Sequence, residues 1–251
     1  MRQSVARTPI FRTIALLASC AMALVVAGTA PDAFAKPKKG KINIAQCPPL
    51  QALNAGEVGR TAPVVLPRLA KPHQKAVVAT VDRLAVLSQG GQTLCIDMRL
   101  RGEVTNIAMS PEGRFFTFDW AGYEADGHVI VDRSGTGQII DTGGKPSVSP
   151  SRQRIAAVHQ SEAAFAELEG LGIWQINAVG MQQIGLVSNI PELADWRIDS
   201  WVSEDCIDMS GIPFSRVSES SAGAARDRYI AKPYGNAWRV VRTTLGCAGG
   251  G

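Results

Sequence analysis

The stretch Ser110–Trp120, SPEGRFFTFDW, joins a proline turn to a run of alternating apolar and polar residues, and Ser149–Val158, SPSRQRIAAV, says something similar. Proline presets φ at the first turn position and glycine supplies a positive φ, so the motif reverses the chain into the strand that follows. The two Ser-Pro pairs lie 39 residues apart, each followed by a basic residue, Arg114 or Arg154, and then by an apolar strand. Further on, Gly137-Gln138-Ile139 and Met181-Gln182-Gln183-Ile184 match in kind, about 45 residues apart. The difference falls where SEAAFAELEGLG (161–172) sits, a segment that reads as a short helix or ordered loop, with Ser161 as its cap and Gly170 and Gly172 as its stop.

Outward from this stretch the same pattern continues. VVATV, RLAVLS, QTLCIDMR, VTNIAMS, HVIVDR, QIIDT, GIWQI and QQIGLVS are short runs between Gly, Pro, Asn, Asp and Ser punctuation, and DWRIDSW, CIDM, RYIAKPY and AWRVVRTTL follow. In Gln92–Arg99 the alternation puts Leu94, Ile96 and Met98 on one face, with Thr93, Cys95 and Asp97 on the other. Many short strands at ~8–12-residue spacing predict an all-β fold. Residues 50–71 are rich in Pro, Ala and Gly, and only VVL at 64–66 reads as a short strand there.

The first 35 residues read as a secretory signal peptide: Arg2, Arg7 and Arg12 lead an apolar run that ends in Ala33-Phe34-Ala35. Two other readings stay open, an uncleaved anchor and a lipidation site at Leu17-Ala18-Ser19-Cys20. Cleavage after Ala35 removes three arginines and one aspartate from 26 basic and 22 acidic residues, leaving 23 against 21. That balance argues against nucleic acid as a partner. No later apolar run approaches membrane-spanning length. The order expected is a signal peptide (1–35), a basic tail and irregular segment (36–75), a β domain (76–247) and a frayed tail (248–251). Lys36, Lys38, Lys39 and Lys41 form the one basic cluster, read as a solvated tail or as a tether to an anionic surface.

Cys47, Cys95, Cys206 and Cys247 remain after processing, an even count that suggests two disulfides in an exported chain. Four cysteines allow three pairings. Cys47 and Cys95 bracket the start of the domain and Cys206 and Cys247 its end, which favours pairing within each half. No C-x-x-C spacing points to a metal.

Ser110-Pro111-Glu112-Gly113-Arg114 resembles the S-P-D-G-R/K turn of bacterial β-propeller repeat proteins, the Tol-Pal periplasmic and WD-type blades, and Ser149–Arg154 keeps the Ser-Pro and the basic residue. The likeness covers about residues 103–188. A period of ~40–45 residues with four strands per unit implies about four four-stranded blades, as a closed or open propeller-like array; a β-sandwich is the alternative. Phe116 and Phe118, or Ile155 and Ala157, would then face neighbouring blades.

The catalytic motifs are missing: there is no G-x-S-x-G, no H-E-x-x-H, no P-loop and no G-x-G-x-x-G. Of three histidines, His73 lies in the irregular start, while His128 and His159 read as edge or loop residues. Asp126-Gly127 and Asp132–Gly135 fit hairpin turns better than calcium loops. Five tryptophans carry more weight. Asp119-Trp120, Asp195-Trp196 and Trp201 read as strand ends, where a propeller opens to partners. The binding candidates are therefore Asp119, Trp120, Tyr123, Trp196, Arg197 and Trp201, with Asp199 and Asp205 nearby. The reading that follows is an exported, cofactor-free, non-enzymatic module of the bacterial envelope that binds a protein. The alternatives are a hydrolase or lyase acting on envelope glycans or peptides, and a carbohydrate-binding protein, which needs two exposed tryptophans on one face.

Overall fold

Alternation drives the chain into antiparallel strands, which gather in chain order into four sheets. The computed structural model describes residues 40–122, 125–160, 167–217 and 225–249, all within one compact unit, Pro37–Gly251. The predicted signal peptide, most of the lysine cluster, Tyr123 and Ser161 lie outside the described residues. The first sheet holds β1 (Val77–Ala79), β2 (Arg83–Leu87) and β3 (Thr93–Asp97). The second holds β4 (Glu103–Met109), β5 (Phe115–Ala121), β6 (Asp126–Asp132) and β7 (Gln138–Asp141). The third is β8 (Ser147–Val148), β9 (Arg154–His159), β10 (Gly170–Asn177) and β11 (Gly180–Val187). The fourth is β12 (Leu193–Ser203), β13 (Cys206–Pro213), β14 (Asp227–Tyr234) and β15 (Ala237–Arg242). Strands adjacent in sequence are adjacent in each sheet. Among the described residues the helical pieces are 3-10 turns, and no helix is long and apolar enough to cross a membrane.

Three buried clusters join consecutive sheets. Leu84, Val86, Phe116, Phe118, Val129 and Val131 fill the space between the first and second. Ile130, Ile155, Ala157 and Trp174 fill the next, and Ala156, Val158, Leu171, Ile173, Ile207 and Met209 the last. Neighbouring residues of one strand thus enter different clusters: Val129 and Val131 face one way and Ile130 the other. Burial on both faces explains why β6 and β9 read as continuous apolar runs. Among the described residues no cluster joins the fourth sheet to the first.

The two outer faces carry caps instead. Across the first sheet run residues 43–51, held by the Cys47–Cys95 disulfide (Cα–Cα 5.7 Å), by Asn43 N–H donating to Thr93 Oγ1 at 2.9 Å and by Arg83 donating to the Pro48 carbonyl at 2.6 Å. On the fourth sheet the C-terminal tail is held by Cys206–Cys247 and by Cys247 N–H donating to Asp208 Oδ1 at 2.7 Å. The cysteines pair within each half, as their placement suggested.

Arginines clip each sheet to the next through backbone carbonyls. Arg133 Nε reaches Leu87 O at 2.6 Å, Arg114 Nη2 reaches Asn177 O at 2.6 Å, and Arg154 Nη1 reaches Glu204 O at 2.9 Å. Arg114 also pairs with the fully buried Asp132 at 2.8 Å, which keeps that carboxylate compensated.

The β2–β3 hairpin packs on the β6–β7 hairpin, with Gln89 N–H donating to Arg133 O at 2.6 Å and Gly90 N–H to Gly135 O at 2.7 Å. β2 and β3 therefore stand as β6 and β7 do, and what the first sheet lacks is a counterpart of β4.

The two Ser-Pro turns share one geometry. Ser110 O accepts from Gly113 N–H (2.8 Å) and Ser149 O from Arg152 N–H (2.9 Å), while the serine hydroxyls accept from Phe115 N–H at 2.9 Å and Arg154 N–H at 3.1 Å. Gly113 takes φ 71° and Arg152 φ 59°. The counterpart of Arg154 is thus Phe115, not Arg114, because the turn sets the register. Two further expectations change. The helix-like reading of 161–172 fails at its end, since β10 begins at Gly170. VVL at 64–66 forms no strand; Val64 enters the first cluster while Val65 is 88% exposed.

Candidate functional site

At one end of the second sheet, β4, β5 and β6 and the linker to the third sheet enclose a cleft of about 380 Å³. Its lining includes Glu103, Thr105, Asp119, Trp120, Asp126, His128 and Lys145. Pairing of β5 with β6 sets Asp119 directly opposite His128, and His128 Nδ1 hydrogen-bonds Asp119 Oδ1. The second carboxylate oxygen accepts from Asn106 Nδ2 at 2.6 Å. Asn106 reaches it from a bulge in β4, where the register shifts after Thr105 and the backbone takes φ 50°, a conformation asparagine tolerates better than most residues.

Burial pushes the Asp119 carboxyl up, but the hydrogen bonds from His128 and Asn106 and the charges of His128 and Lys145 outweigh it, holding the group below the usual carboxylate range. The carboxylates of Glu103, Asp119 and Asp126 face one lysine, so the cleft is acidic on balance. Among the described residues no three His, Cys, Asp or Glu side chains converge as metal ligands.

Trp120 forms one wall. The Arg101 guanidinium lies 5.0 Å from the ring centroid, and the indole Nε1 donates to Asp141 Oδ2 at 3.3 Å. Asp141 also pairs with Arg101 at 3.3 Å. Gly127 makes room for the indole: a Cβ there would meet Trp120 Nε1 at 2.6 Å.

Trp196, Arg197 and Trp201 do not line this cleft. Trp196 lies inside the eleven-residue β12, and Trp201 lies two residues from its end. Trp201 is 8% exposed within the last cluster, and Trp196 packs on Tyr229 at 4.9 Å between ring centroids. Trp201 belongs to the core and Trp196 is half-buried against it, because their strand faces the third sheet. Arg197 is exposed and pairs with Asp199 at 2.8 Å on the opposite face. Asp205 pairs with Arg154 at 3.2 Å. Of the five tryptophans, Trp174 and Trp201 are buried and Trp120, Trp196 and Trp238 are half-buried.

Sequence reasoning placed Asp119 and Trp120 correctly at a strand end and missed their partners. His128 is not an edge residue but is 6% exposed, the third residue of β6. Counting strand residues outward from the Gly122–Ala125 hairpin pairs it with Asp119, a signal present in the sequence. The His159 ring packs against Gly143, one of the cleft's lining residues. Glu103 and Lys145 carried no local signal, and Asp126, which reads in sequence as a turn residue, opens β6. No known protein family matches this chain, and no curated protein does.

Proposed function

We propose that this chain is an exported, non-enzymatic binding module of the bacterial cell envelope that holds a protein partner through a basic side chain inserted beside Asp119. The single observation that carries this reading is the fixed carboxylate in an acidic cleft: Asp119 is oriented by His128 and Asn106 and held ionised, with Glu103 and Asp126 around it. A lysine or guanidinium entering such a site gains charge-assisted hydrogen bonds. The cleft lies within the ~300–1,000 Å³ range of sites that hold a discrete group. The four sheets are read as blades of a propeller-like array, open between the fourth and first and capped at both ends. Two disulfides suit an oxidising compartment, in keeping with a signal peptide cleaved after Ala35. The test is a pull-down from envelope extract with the wild type and with Asp119→Asn. A stoichiometric protein retained by the first and lost from the second supports the reading; equal retention by both contradicts it.

The alternative, a hydrolase or lyase acting on envelope glycans or peptides, draws on the same pair. A histidine whose Nδ1 is held by a carboxylate offers Nε2 for proton transfer. Thr105 is the one hydroxyl in the lining among the described residues. Cleavage of peptidoglycan or casein by the wild type, abolished in His128→Gln, would favour this reading over the first.

A further inference from the structure

The outer face of the fourth sheet carries a second, unrelated feature. Tyr229 and Ala231 of β14 point into the last cluster, so Arg228, Ile230, Lys232 and Tyr234 point the other way. Lys232 sits directly opposite Arg239, and Ile230 opposite Val241. Two cations facing each other across a strand pair repel and destabilise the free sheet. Arg228, Lys232 and Arg239 are exposed, and none has an ion-pair partner among the described residues. The acid on the same face of β13, Asp208, accepts the Cys247 N–H of the cap. Arg239 lies over the Tyr234 ring at 4.6 Å. Tyr234 and Val241 are 63% and 46% exposed among these charges.

We propose that this face docks on an anionic lipid surface, with Arg228, Lys232 and Arg239 meeting lipid phosphates and Tyr234 and Val241 seated between them. The occupant follows from the layout. The three cations spread over two strands of one sheet face, outside the cleft at the second sheet, which fits a planar array of anions rather than a single small one. Exposed aromatic and aliphatic side chains among the charges suit a layer that is apolar beneath its headgroups. Lipid phosphates also supply the counter-charge that the Lys232–Arg239 pair lacks within the protein. This reading is independent of the cleft at the second sheet.

Co-sedimentation with phosphatidylglycerol vesicles and with phosphatidylcholine vesicles tests it. The protein should pellet with the first, weakly with the second, and be released by salt. Lys232→Gln together with Arg239→Gln should weaken binding about thirtyfold, the equivalent of about 1 kcal/mol for each cation at the surface. Lys232→Arg with Arg239→Lys, which keeps both charges, should bind as the wild type. Any leader and the Lys36–Lys41 cluster are common to all three proteins, so the difference reports this face. The melting temperature of the double Gln variant should not fall, because a like-charge contact is relieved. Equal pelleting with both lipids, or wild-type binding by the double Gln variant, overturns the proposal. Retention on polyglutamate beads without vesicle binding also overturns it, in favour of an acidic protein.

Discussion

Replacing Cys206 and Cys247 by serine should show what the caps contribute. The disulfide spans a sequence separation of 41 residues, and Cys47–Cys95 spans 48. Closing loops of that size in the unfolded chain removes entropy equivalent to about 4 kcal/mol each at 25 °C. A domain of this kind holds about 5–15 kcal/mol in total, so one bond should be separable and the loss of both should leave little folded protein. Guanidinium unfolding of the oxidised protein against each double-serine variant measures the loss. Hydrogen exchange then locates it: without Cys47–Cys95 the amides of β1–β3 should open first, and without Cys206–Cys247 those of β13–β15. The two patterns should differ, because each cap touches only one terminal sheet. A loss under about 1 kcal/mol, or the same exchange pattern from both variants, would refute it.

Other perturbations test the frame and the site. Arg114→Met leaves Asp132 buried without its partner and should cost about 3–5 kcal/mol, measured by denaturant titration. Arg152→Gly relieves a left-handed arginine at φ 59° and should raise stability by about 0.5–1 kcal/mol, the left-handed penalty less the entropy glycine adds to the unfolded chain; a thermal melt checks this. The Asp119 carboxyl is held below its usual value, so its contribution is present above the unfolded pKa of about 3.9 and is lost as pH falls through the folded one. The stability gap between the wild type and Asp119→Asn should therefore be widest near neutrality and shrink below pH about 4, as acid titration of the melting temperature would show.

The strand content was legible because alternation and turn residues agree locally. Leu94 and Ile96 face the first cluster while Cys95 faces the cap, as period two requires. The 161–172 segment misled because its glycines read as helix stops. Gly172 instead leaves space for a neighbour, since a Cβ there would meet the Trp174 ring at 2.3 Å. Trp196 and Trp201 misled for a related reason. Flanking aspartates suggest turns, yet β12 carries Asp195 through a bulge with φ 50° and is eleven residues long in all. The cleft was half legible. Asp119 and Trp120 stood out by composition, whereas Glu103, Asp126 and Lys145 meet them only through the pairing of three strands and a linker. The missing fourth strand of the first sheet left no mark in sequence, because absence of a strand resembles any Pro-rich approach.

The most direct measurement places a photo-crosslinking amino acid at Thr105, on the cleft's rim, in the protein expressed in living cells, with Val179 on the far hairpin as the control position. The account predicts one protein crosslinked at Thr105, through a segment carrying Lys or Arg, absent at Val179 and lost when Asp119→Asn is added. Crosslinks that survive Asp119→Asn, or that appear equally at both positions, would contradict a partner held through that carboxylate.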